Sequence, residues 1–211
     1  VDGADSQPGV AQARIKIELE EGAQAQFVEY HTSIGDSDHY ANSVVELSLG
    51  AGATANYVRI QGRDRNHTQT HRTAIRLDAS STVRYNGFDL GGRLIRNDLD
   101  IDIAGKEATA LVGGLYIADD GQHIDNHIRI DHRVGPARSV QEYRGILAGR
   151  CRCVWNGKAL VQAGADGTDA EQSNHNLLLS DRAEIDAKPE LEIYADEVKC
   201  SHGTTVGQLD E

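Results

Sequence analysis

The segment Val198-Lys199-Cys200-Ser201-His202-Gly203 places a thiol and an imidazole two residues apart. On a strand, residues i and i+2 share a face. Cys200 and His202 would then stand side by side and could serve one metal ion or cluster. The plainer readings are a small buried apolar residue at Cys200 and a histidine closing a strand end at His202. Cys151 and Cys153 repeat the spacing within Arg150-Cys151-Arg152-Cys153-Val154-Trp155. Two ligands do not close a zinc site, whose familiar spacing is Cys-x2-Cys or longer, so this pair is expected inside, as core residues. His123, His127 and His132 lie among Asp119, Asp120, Asp125 and Asp131, the composition of a carboxylate–histidine site. His132 breaks the strand parity of the other two, and stacked polar positions are the plainer expectation. His67 and His71 carry the same ambiguity. Asp98, Asp100 and Asp102 line one strand face, as a carboxylate pair for glycoside hydrolysis would. Sugar subsites usually want aromatic platforms, which are scarce here, so solvated strand-face charges are expected instead. No Gly-x4-Gly-Lys-Ser/Thr phosphate loop and no Gly-x-Ser-x-Gly elbow occurs.

The elements that must position these residues read as strands. Ile15–Leu19, Val45–Leu49, Ile75–Asp78, Leu99–Ile103 and Leu191–Tyr194 each alternate apolar with polar. Period two with β-branched residues marks half-buried strands. Helical periodicity is nearly absent. The first four runs close on Gly22-Ala23, Gly50-Ala51-Gly52-Ala53, Ala79-Ser80-Ser81 and Ala104-Gly105. The pattern recurs at roughly 25–30 residues in the first half and is expected to tighten afterwards; such a period suggests a solenoid. A β-sandwich is the alternative, but no hairpin turn recurs periodically. Pro8, Pro136 and Pro189 fall outside the alternating runs, and no low-complexity linker divides the chain. Residues 1–211 are therefore expected to form a single domain.

Composition narrows the function. The 211 residues hold 21 Lys+Arg against 33 Asp+Glu, a formal charge of −12, which disfavours a nucleic-acid partner held through phosphates. No apolar run approaches the ~18 residues of a membrane helix, so no membrane association is expected. Aromatics make up only 5%, so the core must come from Val, Ile, Leu and Ala. Three cysteines in a chain this long are no disulfide framework, and point to a reducing compartment, the cytoplasm. The chain lacks methionine and begins at Val1, as a processed or excised piece would.

The C-terminal third carries a longer pattern. It includes Gln172-Ser173-Asn174, Asn176-Leu177-Leu178-Leu179-Ser180-Asp181-Arg182-Ala183, Lys188-Pro189-Glu190-Leu191-Glu192-Ile193-Tyr194-Ala195-Asp196, and Thr205-Val206-Gly207-Gln208-Leu209-Asp210 after the Cys-Ser-His-Gly stretch. Upstream lie Asp125-Asn126-His127, Asp131-His132, Tyr143-Arg144-Gly145 and Asn156-Gly157-Lys158. In these stretches the chain resembles the SufD proteins, subunits of the SufBCD iron–sulfur cluster assembly machine. The likeness is dense from about Leu115 onward and diffuse before it. Cys-Ser-His-Gly resembles SufD rather than its paralogue SufB. The resemblance implies a right-handed parallel β-helix, with the family's flanking helical regions lying outside this chain. It implies a non-catalytic scaffold that pairs with SufB and acts with the SufC ATPase. SufC would dock on a region absent here. It further implies that His202 lies at the SufB interface and helps build a transient iron–sulfur cluster, with Cys200 as a second donor. No cofactor is expected to bind tightly to this chain alone. Unpaired strand edges are templates for strand addition, so the strands around Leu191–Gln208 are expected to meet SufB, or a second copy of the chain in isolation. The rival function is a β-helical polysaccharide-degrading enzyme using Asp98, Asp100 or Asp102.

Overall fold

The computed structural model describes residues 9–33 and 38–208. Pro8 and the Leu209-Asp210 end of the C-terminal motif lie outside the described residues. Within them the chain is all strand and turn. The odd-numbered strands are β1 (Gly9–Leu19), β3 (His39–Leu49), β5 (Thr68–Leu77), β7 (Leu94–Ile103), β9 (His123–His132), β11 (Arg152–Val161) and β13 (Glu184–Ile193). The even-numbered strands are β2 (Gln24–His31), β4 (Thr54–Gln61), β6 (Thr82–Asp89), β8 (Thr109–Ala118), β10 (Arg138–Leu147), β12 (Asp169–Leu178) and β14 (Lys199–Gln208).

Odd strands pair only with odd strands, and even with even. The orders are β1-β3-β5-β7-β9-β11-β13 and β14-β12-β10-β8-β6-β4-β2. Every pairing is parallel. Each coil thus lays one strand on each of two facing sheets, the odd sheet and the even sheet, in a β-solenoid of seven coils. Gly9 sits opposite His39, Thr68 opposite Leu94, and Arg152 opposite Glu184, which are 30, 26 and 32 residues on. The repeat therefore does not tighten toward the C-terminus, contrary to the sequence expectation.

All five alternating runs fall on the odd sheet. Their apolar residues stack in columns, such as Leu19-Leu49-Leu77-Ile103 and Ile17-Leu47-Ile75-Ile101-Ile130. Leu49, Leu77, Ile103 and Ile130 are fully buried. Each such side chain contributes about 1.5–3 kcal/mol of transfer free energy. The even sheet faces them with larger and more polar groups, among them Tyr57, Arg59, Tyr85, Asp89, Tyr116, Gln141, Tyr143 and Asn174, all buried. Gly114 and Gly145 make room for these rings: a β-carbon at Gly114 would collide with Tyr143, and one at Gly145 with Tyr116. At one corner the backbone repeats a left-handed conformation at Gly22 and Gly52, with φ of +68° and +67°, where glycine carries no steric cost. Their N–H groups donate to the carbonyls of Ala51 and Ala79 in the following coil, at 2.9 and 2.8 Å.

Candidate functional site

Cys200 and His202 lie on β14, the edge strand of the even sheet. Their register partners are Ala170 and Gln172 on β12, both buried. The two residues are therefore the last members of inward-facing columns. His202 ends the series Phe27-Tyr57-Tyr85-Val112-Gln141-Gln172. Cys200 ends Ala25-Ala55-Val83-Ala110-Ser139-Ala170 in the same way. No further described strand covers them, so His202 is exposed and Cys200 half-buried. Burial pushes the Cys200 thiol up from its ordinary value. The shared-face expectation holds, and the shared face is an interior one left open at the end of the fold. Behind it, Gln172 is 4% exposed, and both of its side-chain amide atoms are buried without hydrogen-bond partners among the described residues. A buried amide in that condition costs about 1–3 kcal/mol per lost bond. The same coil exposes Leu179, Ile193, Tyr194 and Val206, and both β13 and β14 have an unpaired edge.

The other singled-out residues separate cleanly. Cys151 and Cys153 point inside and are almost fully buried, and burial raises both thiols. His132 is buried and bonds Ser139 Oγ at 2.8 Å, while His123 and His127 take the alternate, half-buried positions of β9. These three do not converge on a metal-sized site. His127 instead pairs with Asp125 at 2.9 Å. Asp98, Asp100 and Asp102 do line one outer face, and each meets arginine. Arg96 binds Asp98 at 2.6 Å, Arg72 binds Asp100 at 2.9 Å, and Arg76 binds Asp102 at 2.9 Å with Arg133 also on Asp102. Held by guanidinium groups on an outer sheet face, they make a charge ladder and not a pair of acids about a bond to be cut.

One constellation was not visible as a unit in the sequence. Glu29 and His31 on β2 meet His71 on β5 across the interior, at the N-terminal end of the solenoid. Their ligand-type atoms all lie within 4.8 Å of one another. His31 Nε2 is 2.7 Å from Glu29 Oε1, and His71 Nε2 is 3.7 Å from Glu29 Oε2. Tyr57 donates its hydroxyl to Glu29 Oε2 at 2.6 Å. His71 Nδ1 bonds Ser43 Oγ at 2.7 Å, and its Nε2 lies 2.9 Å from Thr73 Oγ1. Burial would raise the Glu29 carboxyl, but the hydrogen bond from His31 and the charges of the two imidazoles outweigh it and hold it at about 2. Burial, with help from Arg59, holds the His71 imidazole down to about 3. Glu29 and His31 share the i, i+2 spacing of Cys200 and His202, the one local signal available. His71 lies forty positions beyond His31 and joins them only because the coils stack.

Comparison with known proteins places this geometry in a family. The model for the SUF system FeS cluster assembly SufBD core domain matches residues 2–211, which extends the likeness over the N-terminal half. The iron–sulfur cluster assembly protein SufD of Escherichia coli is 31% identical over 99% of this chain and 49% of its own length. An iron–sulfur cluster assembly SufBD family protein of Synechocystis is 32% identical over 98% of this chain and 47% of its own length. One of Mycobacterium tuberculosis is 32% identical over 96% and 52%. The chain spans about half the length of the curated relatives it matches.

Proposed function

The chain belongs to the SufBD core family of the SUF iron–sulfur assembly system, and from that premise we propose that it is the scaffold core of a SufD-type subunit. It is not itself a catalyst. It pairs with a SufB-type partner through the C-terminal coil, and a separate SufC-type ATPase drives the pair. The observation that carries the reading is the open end of the even sheet. There two metal-capable side chains end interior columns, beside the unpaired β13 and β14 edges and exposed Ile193, Tyr194 and Val206.

A partner coil stacked on β13 and β14 would satisfy their free backbone groups. It would also cover His202 and Cys200 and bring its own ligands to them. A cluster assembled there is cargo, so its ligands must let go. A neutral imidazole beside a thiolate binds iron less firmly than a full thiolate set. The net charge of −12 is compatible with iron entering on this subunit.

The test uses the full-length subunit co-purified anaerobically with its SufB- and SufC-type partners. Iron and acid-labile sulfide per complex are measured for wild type and His202→Ala, with complex mass followed by light scattering. An intact complex that has lost its cluster is expected. Unchanged cluster content would leave His202 a structural residue and remove the reading. Ile193→Asp should weaken the pairing in a binding titration; unchanged affinity would move the interface elsewhere.

A further inference from the structure

We infer that Glu29, His31 and His71 form a second site, for a divalent transition-metal ion of borderline softness, at the end of the solenoid opposite His202. The inference does not rest on the role proposed for the C-terminal coil. It rests on how the three side chains are held.

The hydrogen bonds fix which atoms face one another. Arg63 Nε donates to Gln69 Oε1 at 2.7 Å. An arginine nitrogen can only donate, so the Gln69 atom there is the oxygen. His31 Nδ1 lies 3.0 Å from the same oxygen and must donate to it. That leaves His31 Nε2 aimed at Glu29 Oε1, 2.7 Å away. Two electron-rich atoms this close need a positive centre between them: a proton in the metal-free chain, a metal ion in the loaded one. His71 is the third donor, with its Nδ1 on Ser43.

Tyr57 holds Glu29 Oε2 and Thr73 lies 2.9 Å from His71 Nε2, contacts that an ion would share or displace. Both imidazoles have a partner on the far nitrogen, Gln69 for His31 and Ser43 for His71. Outer partners of this kind orient metal ligands and set the tautomer of ligating histidines. Two imidazoles and one carboxylate suit Fe2+, Co2+ or Zn2+; Mg2+ and Ca2+ prefer all-oxygen sets. Donor atoms of a tetrahedral zinc site stand about 3.3 Å apart given bonds of about 2.0–2.1 Å. The three donor atoms here lie within 4.8 Å of one another, with His31 Nε2 2.7 Å from Glu29 Oε1 and His71 Nε2 3.7 Å from Glu29 Oε2, so a bound ion would draw them to that spacing. Nearby, the positive charge of Arg59 is matched by Asp89 at 2.9 Å, so Glu29 remains free to balance a cation.

The site also has an approach. Glu29 and His31 line a cavity of about 680 Å³ that His39, His67 and Arg63 line as well. The rings of His39 and His67 stand 5.1 Å apart. His39 Nε2 and His67 Nδ1 are buried with no partner among the described residues, two spare imidazole nitrogens on the way in.

The experiment titrates the chelator-treated full chain with Co2+ and Zn2+ anaerobically, with Mg2+ as the contrast. Wild type, Glu29→Gln and His202→Ala are compared, and far-UV circular dichroism checks the fold. One Co2+ or Zn2+ per chain is expected at the N-terminal site, without competition from Mg2+. Glu29→Gln should weaken it by at least the ~100-fold that loss of an outer partner alone can reach, and His202→Ala should leave it unchanged. Equal affinity in wild type and Glu29→Gln, or loss of this binding in His202→Ala, would overturn the site. Should Glu29→Gln not fold, the unsubstituted Co2+ form decides. Its proton NMR spectrum in water should show two shifted imidazole N–H signals, and its absorption no thiolate-to-cobalt band. Absence of those signals, or a thiolate band at one equivalent, overturns the site equally.

Discussion

Across the interior, the odd sheet sets Leu19, Leu49, Leu77 and Ile103 in one column, while the even sheet sets Glu29, Arg59, Gly87, Gly114, Tyr143, Asn174 and Thr204 in another. Both sheets have the same pairing and nearly the same coil length. They differ in what their inner faces ask of neighbours. Aliphatic side chains stack on anything of similar size, so these columns of the odd sheet are held by area. Polar and aromatic side chains need specific partners, so the even sheet is held by matched pairs. Chemistry collects at the two ends of the even sheet: at Gln172, His202 and Cys200, where matching is incomplete, and at Glu29 and His31, where it is completed by His71 and Gln69 of the odd sheet.

The sharpest break of this contrast is at Arg59. It bonds Asp89 at 2.9 Å and Tyr85 Oη at 3.0 Å, fully buried. Arg59→Met should cost about 3–5 kcal/mol in urea unfolding, because it leaves a buried carboxylate unpaired. Arg59→Met combined with Asp89→Leu should cost less than the single change. If the two substitutions simply add, the even sheet is not held by pairs. On the odd sheet, Ile101→Ala should cost about 2–5 kcal/mol through lost area and a residual cavity, with no second substitution able to rescue it by pairing.

Acid separates the histidine cluster from both. In the unfolded chain His71 takes up a proton near 6.5, whereas the folded site refuses it down to about 3. The unfolded chain thus binds more protons in that interval, and stability must fall as pH drops from 6.5 toward 3. Buried His132, held at about 4, adds to the upper part of the same fall. Glu29 acts lower: its contribution is present above about 4.5 and is lost as pH falls through about 2. Melts at pH 7 and pH 4.5 should differ by on the order of 5 kcal/mol, about half from each histidine, and His71→Gln should remove about half of the slope. A slope unchanged by His71→Gln would mean that other groups carry it.

Smaller effects sharpen the same contrast. Asn174 donates to Tyr116 Oη at 3.1 Å and accepts from Asn176 at 2.6 Å. Asn174→Ala should therefore cost about 1–3 kcal/mol, measured by chemical unfolding. The outer pair Arg152–Asp186, at 2.8 Å and more than half exposed on both sides, should give no more than ~0.5 kcal/mol on Asp186→Ala.

The same difference decided what was legible before folding. Alternation revealed the odd sheet because Val45, Leu47 and Leu49 stand against Glu46 and Ser48. It missed β10 and β12, where Gln141, Gln172 and Asn174 are buried and Glu142 and Glu171 face out. With polar residues on both faces, period two disappears from hydropathy although the backbone keeps it. Cys200 and His202 were legible because a single strand carries both. The Glu29–His31–His71 cluster was not, since register between coils brings it together and no local spacing encodes register.

The invariant stacking also makes the solenoid a ruler. Parallel neighbours advance by about 4.8 Å per strand, and β2 and β14 stand six strand steps apart in the even sheet. The coil holding His31 and the coil holding His202 are therefore spaced by roughly 29 Å. No side chain spans that distance. No one residue can therefore serve both ends, and an ion held at one is out of reach of the ligands at the other. Adding or deleting one whole coil would reset the interval by a fixed increment without altering the chemistry at either mark.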